Sequence, residues 1–439
     1  MKIAYIAAGA GGMYCGSCIR DNTLARELSR LGHPTLLIPT YTPLRTDEDG
    51  VAISRVFYGG IGVFLAQKIP LLRRSIPFLD RALSSAALIR LVTRLSISTQ
   101  PAALGALAVS VLKGEQGNQR KSLEELLGYL EWEVRPDVVH LTNSVLAGLA
   151  APLRRRLRVP VVASFQGEDL FLEGLPGPFR SEALGLIRAA ASSIDAFTAV
   201  GGYTAAHMAS LLGIPRERIA VVPPGLRFDG MSGARRRPVD PGRPFTVGYL
   251  ARIAPEKGLS VLAEAFRILL NGLPAAPPQG LPRLQAAGFL DRAARPYLDG
   301  IRERLARWGL SGSFEYVGEL DRPGKIRFLE GIDAFSVPAT YPEAMGLSVL
   351  EAMACGAPAV LPPSGVFPEI IGTTGGGLLA ESGDPASLAA GLRRLLLEPE
   401  LRVDLGERAA LGVRRSHTAE AMARATLAVY ASVRGGSGT

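Results

Sequence analysis

Short apolar runs alternate along this chain with longer segments in which apolar residues recur at helical spacing. The first run covers residues 2–8, and similar runs occupy 35–39, 137–141 and 245–250. Between the first two, Leu24, Leu28 and other apolar residues share one helical face. Repeated alternation of strand and helix is typical of parallel sheets covered by helices. The pattern therefore predicts an α/β fold.

One stretch interrupts the alternation and divides the chain. Residues 229–244 are rich in proline, glycine and arginine and lack an apolar run, as expected of a linker. This predicts an N-terminal domain over 1–228 and a C-terminal domain over 245–415. The remaining segment, 416–439, is predicted to be mainly helical.

Composition narrows the class of protein. The chain has 439 residues, a length that favours two or three domains, and its 47% hydrophobic content indicates a globular rather than a disordered protein. It opens without a charged-then-apolar leader and contains three cysteines, so we expect a reducing cytoplasm. The net charge of +9 favours anionic partners. Nucleic acid is the least favoured of these, because the charge is dispersed and no recognition motif is present.

Residues 61–113 combine many basic with many apolar residues. Such a segment is typical of a surface that lies on an anionic membrane or holds an anionic or lipid acceptor. The alternative is a pair of packed helices with a solvated basic face. The uncharged run at 95–112 contains Ser, Thr, Gln and Pro, so no transmembrane helix is predicted there.

The most informative stretch is 338–358. An apolar run at 333–337 predicts a buried strand, and two prolines then break the chain and predict a loop. Helix formers begin at Leu347, and Gly356 with the proline that follows predicts the helix end. The local prediction is strand, loop and short helix.

The start of that helix suits an anionic ligand that also carries hydroxyls. The amides of Leu347, Ser348 and Val349 are expected to lack helical partners and to face the ligand. Glu343 in the loop and Glu351 one turn into the helix are predicted to point into one crevice. A sugar phosphate supplies both anionic oxygens and hydroxyls. The alternative is an ordinary helix start with one solvated glutamate.

Two cations follow the strand at 245–250. Arg252 and Lys257 flank a turn that contains a proline and leads into a helix. Arginine as a planar fork and lysine as a point charge together suit a diphosphate. The alternative is that both side chains are simply solvated.

The first domain contains a second turn that is suited to binding phosphate. Glycines at 9, 11 and 12 follow the first strand, but Tyr14 stands where a dinucleotide fingerprint needs its third glycine. Cys15 and Cys18 form a Cys-x-x-Cys. A thioredoxin-type site would need a different surrounding βαβ pattern and a zinc site a second pair of ligands, so small packed thiols are favoured. His207 is predicted to lie in mid-helix with no nearby partner and to be structural.

The glutamate-containing stretch also resembles a known family. Glu343 and Glu351 stand eight apart around Gly346-Leu347, and residues 350–358 read Leu-Glu-Ala-Met-Ala-Cys-Gly-Ala-Pro. This resembles the signature of family-4 retaining glycosyltransferases. The resemblance implies the GT-B fold, in which two Rossmann-like domains face each other across a cleft. It also implies that the helix within 416–439 packs back on the N-terminal domain.

The resemblance implies an activity. A hexose-type sugar would move from a nucleotide diphosphate sugar to an unidentified glycan, lipid or small-molecule acceptor, with retained configuration and without a metal or other cofactor. Glu343 would orient the sugar, and Arg252 and Lys257 would hold the diphosphate. The donor nucleotide and its phosphates would be bound by Gly11, Gly12, Gly318, Leu320, Gly346, Leu347, Ser348, Val349 and Glu351.

On the acceptor side the chain departs from the family pattern. Where the family often has a histidine, this chain has Gln166, so Glu168 or Asp169 becomes the candidate that polarises an acceptor hydroxyl. The alternative is that both acids cap turns. Because of this departure, a non-catalytic sugar-binding relative remains an alternative. An enzyme resembling starch or glycogen synthases, with a related glutamate spacing, is a second alternative. Peripheral contact with the inner face of the membrane through 61–113 is a further expectation.

Overall fold

A computed structural model describes residues 1–9, 14–57, 101–232, 242–273 and 280–435. The chain divides into two compact units. Unit 1 comprises residues 1–225 with 419–439, and unit 2 comprises 226–418. Each unit contains a six-stranded sheet whose strands pair in parallel. The predicted pair of Rossmann-like α/β domains is confirmed.

Unit 1 is built on the sheet with strand order β2-β1-β3-β4-β5-β6. Its strands are β1 (Ile3–Ala7), β2 (Thr35–Pro39), β3 (Val138–Leu141), β4 (Val161–Phe165), β5 (Ala196–Ala199) and β6 (Ile219–Val221). Every residue of β1, β3 and β4 is buried, as expected of parallel strands covered on both faces.

Helices connect these strands and cover the sheet. They are α1 (Gly16–Arg30), α2 (Pro101–Leu112), α3 (Arg120–Tyr129), α4 (Ala150–Leu157), α5 (Asp169–Glu173), α6 (Gly177–Ala190) and α7 (Gly202–Leu212). A π-helical turn, Leu130–Val134, and a 3-10 segment, Ser144–Leu149, complete the connections around β3.

Unit 2 has the strand order β12-β11-β10-β7-β8-β9. Its strands are β7 (Thr246–Leu250), β8 (Arg283–Ala287), β9 (Phe314–Gly318), β10 (Ala334–Phe335), β11 (Ala359–Leu361) and β12 (Gly377–Leu379). Chain order runs outward in both directions from the neighbouring strands β7 and β10. This is the doubly wound arrangement, whose ligands bind at the point where the order reverses.

The helices of unit 2 follow the same alternation. They are α8 (Leu259–Asn271), α9 (Arg295–Arg307), α10 (Arg322–Gly331), α11 (Leu347–Ala354), α12 (Phe367–Thr374), α13 (Pro385–Leu397) and α14 (Pro399–Ser416). Helix α8 buries Leu259, Leu262 and Phe266 on one face, as its apolar spacing predicts.

The closing helix, α15 (Ala419–Gly435), belongs to unit 1. Met422 and Tyr430 on α15 join the same apolar cluster as Ile3 and Leu24. Tyr430 also reaches the polar centre of the sheet, where its hydroxyl lies 2.6 Å from Nδ1 of His140.

A small buried polar chain extends from that contact. Nε2 of His140 lies 2.7 Å from the Ser164 hydroxyl, which lies 2.7 Å from the Thr198 hydroxyl on the next strand. Burial lowers the pKa of His140 well below its usual value, with the charge of Arg20 acting in the same direction. A neutral imidazole therefore links α15 to β3 and β4.

Most of the basic segment predicted at 61–113 lies outside the described residues, since 58–100 are among those not described. Its last part forms α2. Membrane contact through this segment stays a prediction. Across the described ranges, every helix is too short or too polar to span a bilayer.

Replacing Tyr430 with phenylalanine tests how α15 is anchored. The Tyr430→Phe variant leaves a buried nitrogen of His140 unsatisfied, which costs about 1–3 kcal/mol of unfolding free energy. Urea denaturation followed by circular dichroism measures this loss. The matched control is Tyr129→Phe, because the Tyr129 hydroxyl has no hydrogen-bond partner within the part of the chain that the structure describes. Equal stability of the two variants would contradict the anchoring role.

Candidate active site

The candidate site of unit 2 begins at the carboxyl ends of β7 and β10. These two strands are neighbours, and the chain order of the sheet reverses between them. The segments that leave them, 251–258 and 336–346, therefore start side by side. Open α/β sheets bind ligands at this place.

A glycine brings the two segments into contact. Pro255–Lys257 forms a 3-10 turn that ends at Gly258, whose φ is +76°. A Cβ at Gly258 would lie 1.8 Å from the carbonyl oxygen of Pro338, so the backbones approach too closely for any side chain. The amide of Thr340 also donates to the carbonyl of Glu256 at 2.9 Å. The turn that carries Lys257 is thus held against the loop that carries Glu343.

Lys257, Tyr341 and Glu343 form one compact cluster across these segments. Nζ of Lys257 lies 2.7 Å from Oε2 of Glu343 and also donates to the Tyr341 hydroxyl. That hydroxyl in turn donates to the same Oε2 at 2.9 Å. The side chains of Lys257 and Glu343 are only 17% and 15% exposed. A largely buried ion pair therefore joins the ends of β7 and β10.

The cluster fixes the charge state of both ionised groups. Burial by itself raises the pKa of Glu343, but the charge of the Lys257 ammonium and three hydrogen bonds, from Lys257, Tyr341 and the Met345 backbone, outweigh it and hold that pKa below its usual value. Burial by itself lowers the pKa of Lys257, and the Glu343 carboxylate reverses the direction and raises it. The carboxylate and the ammonium both stay charged at neutral pH.

The backbone of Glu343 is braced from the opposite side. Gly365 follows β11 with φ of +63°, and a Cβ there would lie 2.2 Å from the Glu343 carbonyl oxygen. The amide of Val366 donates to that carbonyl at 2.8 Å. Three strand ends, β7, β10 and β11, thus position this one carboxylate.

Arg252 lies at the start of the same turn and has its own acidic partner. Its Nη2 lies 2.6 Å from Oε1 of Glu256, with both side chains about one third exposed. The sequence places the two cations on this turn but does not indicate that each is paired with a glutamate. Arg252 and Lys257 stay predictions as ligands of a diphosphate.

Helix α11 begins, as predicted, at Leu347. It follows Gly346, which has φ of +66°. One part of the prediction is wrong: the amide of Val349 is not unpaired, because it donates to the Gly346 carbonyl at 3.0 Å. The first turn is tight enough to close this bond within itself. Val349 itself stays a prediction as a residue of the donor site. Among the described residues, the amides of Leu347 and Ser348 have no such acceptor.

Glu351 lies in a separate ion pair from Glu343. Its Oε1 accepts from Nζ of Lys325 on α10, and the side chains of Lys325 and Glu351 are 7% and 6% exposed. The two glutamates, predicted to point into one crevice, are therefore each paired with a different lysine. The assignment of Glu351 to a ribose stays a prediction.

The predicted base-binding residues lie at the end of β9. Gly318 is its last residue and accepts a hydrogen bond from the amide of Gly288 at 2.9 Å. Leu320 stands just before α10, whose first turn is capped by the Asp321 carboxylate. Both positions follow a strand end of the same sheet as Lys257, and their role stays a prediction.

In unit 1, the acidic loop after β4 separates into two different roles. Glu168 is buried and accepts from the Ser144 amide and hydroxyl at 2.9 and 2.8 Å and from the Gln166 amide at 2.8 Å. It therefore holds the loop together, in line with the capping alternative. Asp169 opens α5 and is the remaining candidate for an acceptor hydroxyl.

Asp169 has a neighbour that the sequence did not reveal. Nε2 of His207 lies 3.6 Å from Oδ2 of Asp169 and 3.7 Å from Oε1 of Glu173. Burial raises the pKa of Asp169, and the charge of His207 opposes that rise. The expectation that His207 has no nearby partner is wrong, because two strand ends bring α5 and α7 together.

Four further residues singled out from the sequence follow β1 along the chain. Gly11 and Gly12 lie outside the described residues. Cys15 and Cys18 lie at the start of α1, with Cys18 buried and Cys15 half-buried. Within the described ranges, no three His, Cys, Asp or Glu side chains are grouped so that they could share a metal ion.

Sequence reasoning missed three residues that complete the site: Glu256, Lys325 and Tyr341. Tyr341 could have been found, since it stands two residues before Glu343 in the same proline-bounded loop. Lys325 could not, because its approach to Glu351 depends on the packing of α10 against α11.

Substitution of Gly258 tests the close approach of the two segments. Gly258→Ala combines left-handed backbone strain with a clash against Pro338, whereas Gly309→Ala has a similar φ of +73° and nothing within 4 Å of the added Cβ. We expect the control to lose about 1–2 kcal/mol of stability and Gly258→Ala to lose about 1–3 kcal/mol more. Chemical denaturation measures both. Equal losses would show that the contact is not tight.

Two models of known protein families match this chain. The family model described as glycosyl transferases group 1 matches residues 234–411, and that of glycosyltransferase family 4 matches 114–229. Together the two models cover most of the chain between 114 and 411.

Two curated relatives and one solved structure illustrate the similarity. A D-inositol 3-phosphate glycosyltransferase of Corynebacterium jeikeium is 29% identical over 43% of this chain and 46% of its own length. The lipopolysaccharide core mannosyltransferase LpsB of Rhizobium meliloti is 31% identical over 55% and 66%. The chain thus spans about half the length of the first and about two thirds of the second.

The structure of Anabaena HepE in complex with UDP aligns over 98% of this chain and 100% of its own with a TM-score of 0.67. At 16% sequence identity, this likeness establishes the fold alone. The glutamate-containing signature, the doubly wound sheets and the two family models agree. The chain belongs to the group 1 glycosyltransferases, within glycosyltransferase family 4, and has the GT-B fold.

Proposed function

We propose that this protein is a retaining glycosyltransferase that moves a hexose-type sugar from a nucleotide diphosphate sugar to a hydroxyl of an acceptor. The observation that carries the proposal is the buried cluster of Lys257, Tyr341 and Glu343. It lies at the point of unit 2 where the strand order reverses, next to the start of α11 in sequence. Ligands of doubly wound sheets bind at this point.

Lys257 is the group that would meet the developing charge of the leaving diphosphate. An ammonium has three donors. In the structure one is directed to Glu343 and one to Tyr341, which leaves a third for a phosphate oxygen. Because the ammonium is already fixed by these two contacts, it would need little rearrangement when charge builds up in the transition state.

Arg252 and the start of α11 would add to this stabilisation. Arg252 holds Glu256 in a more exposed position, so exchanging that carboxylate for a diphosphate would cost little. The amides of Leu347 and Ser348 point from the positive end of a helix. Each preorganised donor of this kind stabilises the transition state by about 2.7–4 kcal/mol. We propose that these groups replace a divalent ion at the diphosphate.

Glu343 would orient the transferred sugar. Its carboxylate is ionised and its Oε2 is fixed by two donors, so its direction is set before the substrate binds. Such a carboxylate can accept hydrogen bonds from sugar hydroxyls, and its negative charge would stabilise an oxocarbenium-like sugar in the transition state. Glu351 would accept from the ribose, with Gly318 and Leu320 beside the base.

The acceptor would be a hydroxyl compound: a glycan, a lipid or a small molecule. Asp169 is the proposed polarising group, because it is largely buried, has a raised pKa and lies beside His207. The leaving phosphate oxygen can also take the acceptor proton, so a single strong base is not required. Peripheral membrane contact through 61–113 would serve a lipid acceptor.

A donor panel tests the proposal. The full chain is incubated with UDP-, GDP- and ADP-linked hexoses and followed by thermal shift and by release of the nucleotide diphosphate. We expect one nucleotide class to raise the melting temperature and to be hydrolysed slowly in the absence of acceptor. Stabilisation without hydrolysis or transfer would instead indicate a non-catalytic nucleotide-sugar-binding relative.

Two variants assign the chemistry to the cluster. Lys257→Met and Glu343→Gln are each expected to lower donor turnover by about 10²–10³-fold, because each removes a charged group that acts on the transition state. The matched control is Lys121→Met, which removes an exposed lysine of α3 and should leave turnover unchanged. If both cluster variants turned over the donor at the wild-type rate, the assignment of the site would be contradicted.

A further inference from the structure

Two cysteines occupy the first turn of α1 in a defined relation. Cys15 precedes the first helical residue and has extended backbone angles, φ −117° and ψ 132°, which are those of a helix-capping position. Its carbonyl accepts from the amide of Ile19 at 3.0 Å, so the turn is closed directly behind it. Cys18 is three residues further, at the third position of the helix.

The thiols of Cys15 and Cys18 are hydrogen-bonded to each other. The same spacing lets a capping serine and a glutamate three residues later reach each other's backbone in the capping box. Two cysteines placed there are within reach of one another and belong to one turn. A Cys-x-x-Cys at a helix start is the arrangement used by thiol–disulfide oxidoreductases.

The two thiols differ in access. Cys15 is half-buried, whereas Cys18 is only 4% exposed. The third cysteine, Cys355 at the end of α11, is also buried and lies in unit 2. Cys15 is therefore the more accessible of the two thiols in this turn.

The electrostatics of the turn support the same order. A hydrogen bond from the Cys18 thiol, helped by backbone amides of the first turn, lowers the pKa of Cys15 to about 6. The same bond and burial raise the pKa of Cys18 well above its usual value. No acidic residue lies in the first turn of α1, and the charge of Asp21 one turn later opposes the lowering of the Cys15 pKa without outweighing it.

Metal binding fits these residues less well. Two cysteines supply only half of a tetrahedral zinc site. Over the described ranges, no third or fourth His, Cys, Asp or Glu joins them in a group that could hold an ion.

We propose that Cys15 and Cys18 are a redox-active dithiol that undergoes thiol–disulfide exchange with low-molecular-weight disulfides. The thiolate of Cys15 attacks one sulfur of the disulfide, the sulfur–sulfur bond breaks, and the first thiol leaves with a proton from water. Cys18 then gives up its proton to solvent and attacks the Cys15 sulfur, the sulfur–sulfur bond of the mixed disulfide breaks, and the second thiolate leaves and takes a proton from water. The two cysteines are oxidised to one disulfide, and the small disulfide is reduced to two thiols.

The position of the dithiol connects it with the polar ends of the sheet in unit 1. Asp21, one helical turn after Cys18, is buried and accepts from the Tyr5 hydroxyl at 2.7 Å and from Nε2 of Gln166 at 2.9 Å. The first turns of α1 are thus bonded to β1 and to the loop after β4. Oxidation of the pair would therefore act one helical turn away from Asp21, which is hydrogen-bonded to the loop that carries Asp169.

Glutathione disulfide is the probe for the first experiment. The full chain is incubated with it, its intact mass is measured, and the remaining thiols are alkylated and mapped. We expect the mass to fall by two hydrogen atoms, Cys15 and Cys18 to become protected together, and Cys355 to stay free. A chain in which Cys15 and Cys18 both stay alkylatable overturns the proposal. This readout involves no sugar donor, so it stands or falls separately from the proposed transfer.

Variants establish which sulfur attacks. Cys18→Ser keeps a hydrogen-bond donor beside Cys15 but cannot resolve the mixed disulfide, so it should gain the mass of one glutathione at Cys15. Cys15→Ser should leave the buried Cys18 unmodified, and the matched control Cys355→Ser should react like the wild type. Modification of Cys18 in the Cys15→Ser variant at the wild-type rate overturns the assigned order.

The pH dependence of alkylation gives a measurement on the unaltered chain. The rate at Cys15 should be half-maximal near pH 6, the value to which its pKa is lowered, against about pH 8.5 for an ordinary thiol. A half-maximal rate near pH 8.5 would remove the electrostatic basis of the exchange.

Discussion

The ion pair between Lys257 and Glu343 is the interaction on which the site of unit 2 depends. Moving two charges out of water costs several kcal/mol each, and a buried pair often adds little to stability compared with apolar residues of the same size. Here the pair is largely buried and receives a further hydrogen bond from Tyr341. Its physical value lies in preorganisation, since it fixes one cation and one anion where the strand order reverses.

The two units use buried polar groups for different purposes. In unit 2 the charges lie at strand ends, held there by backbone contacts so close that Gly258 and Gly365 admit no side chain. In unit 1 a neutral chain from Tyr430 through His140 to Ser164 crosses the middle of the sheet. The first arrangement keeps charge available to a ligand, whereas the second binds the closing helix to the core.

Local patterns were enough to predict the α/β fold and the elements that surround the candidate site. Apolar runs and glycine–proline punctuation indicate the strands and α11, and residues close in sequence, such as Arg252 and Lys257, were correctly placed on one turn. What the sequence could not provide were partners chosen by packing. Lys325 meets Glu351, and His207 meets Asp169, only because separate helices come together. The amide of Val349 was misjudged because helix starts can close a tight first turn.

A crystal structure of the protein with a bound nucleotide sugar tests the central claim most directly. If the cluster is the donor site, the diphosphate will lie within hydrogen-bonding distance of Nζ of Lys257 and of the amides of Leu347 and Ser348, with the sugar hydroxyls on Glu343. The Lys257–Glu343 pair will remain formed beside it. A nucleotide sugar bound away from the ends of β7 and β10, with this cluster unchanged and unoccupied, would contradict the account.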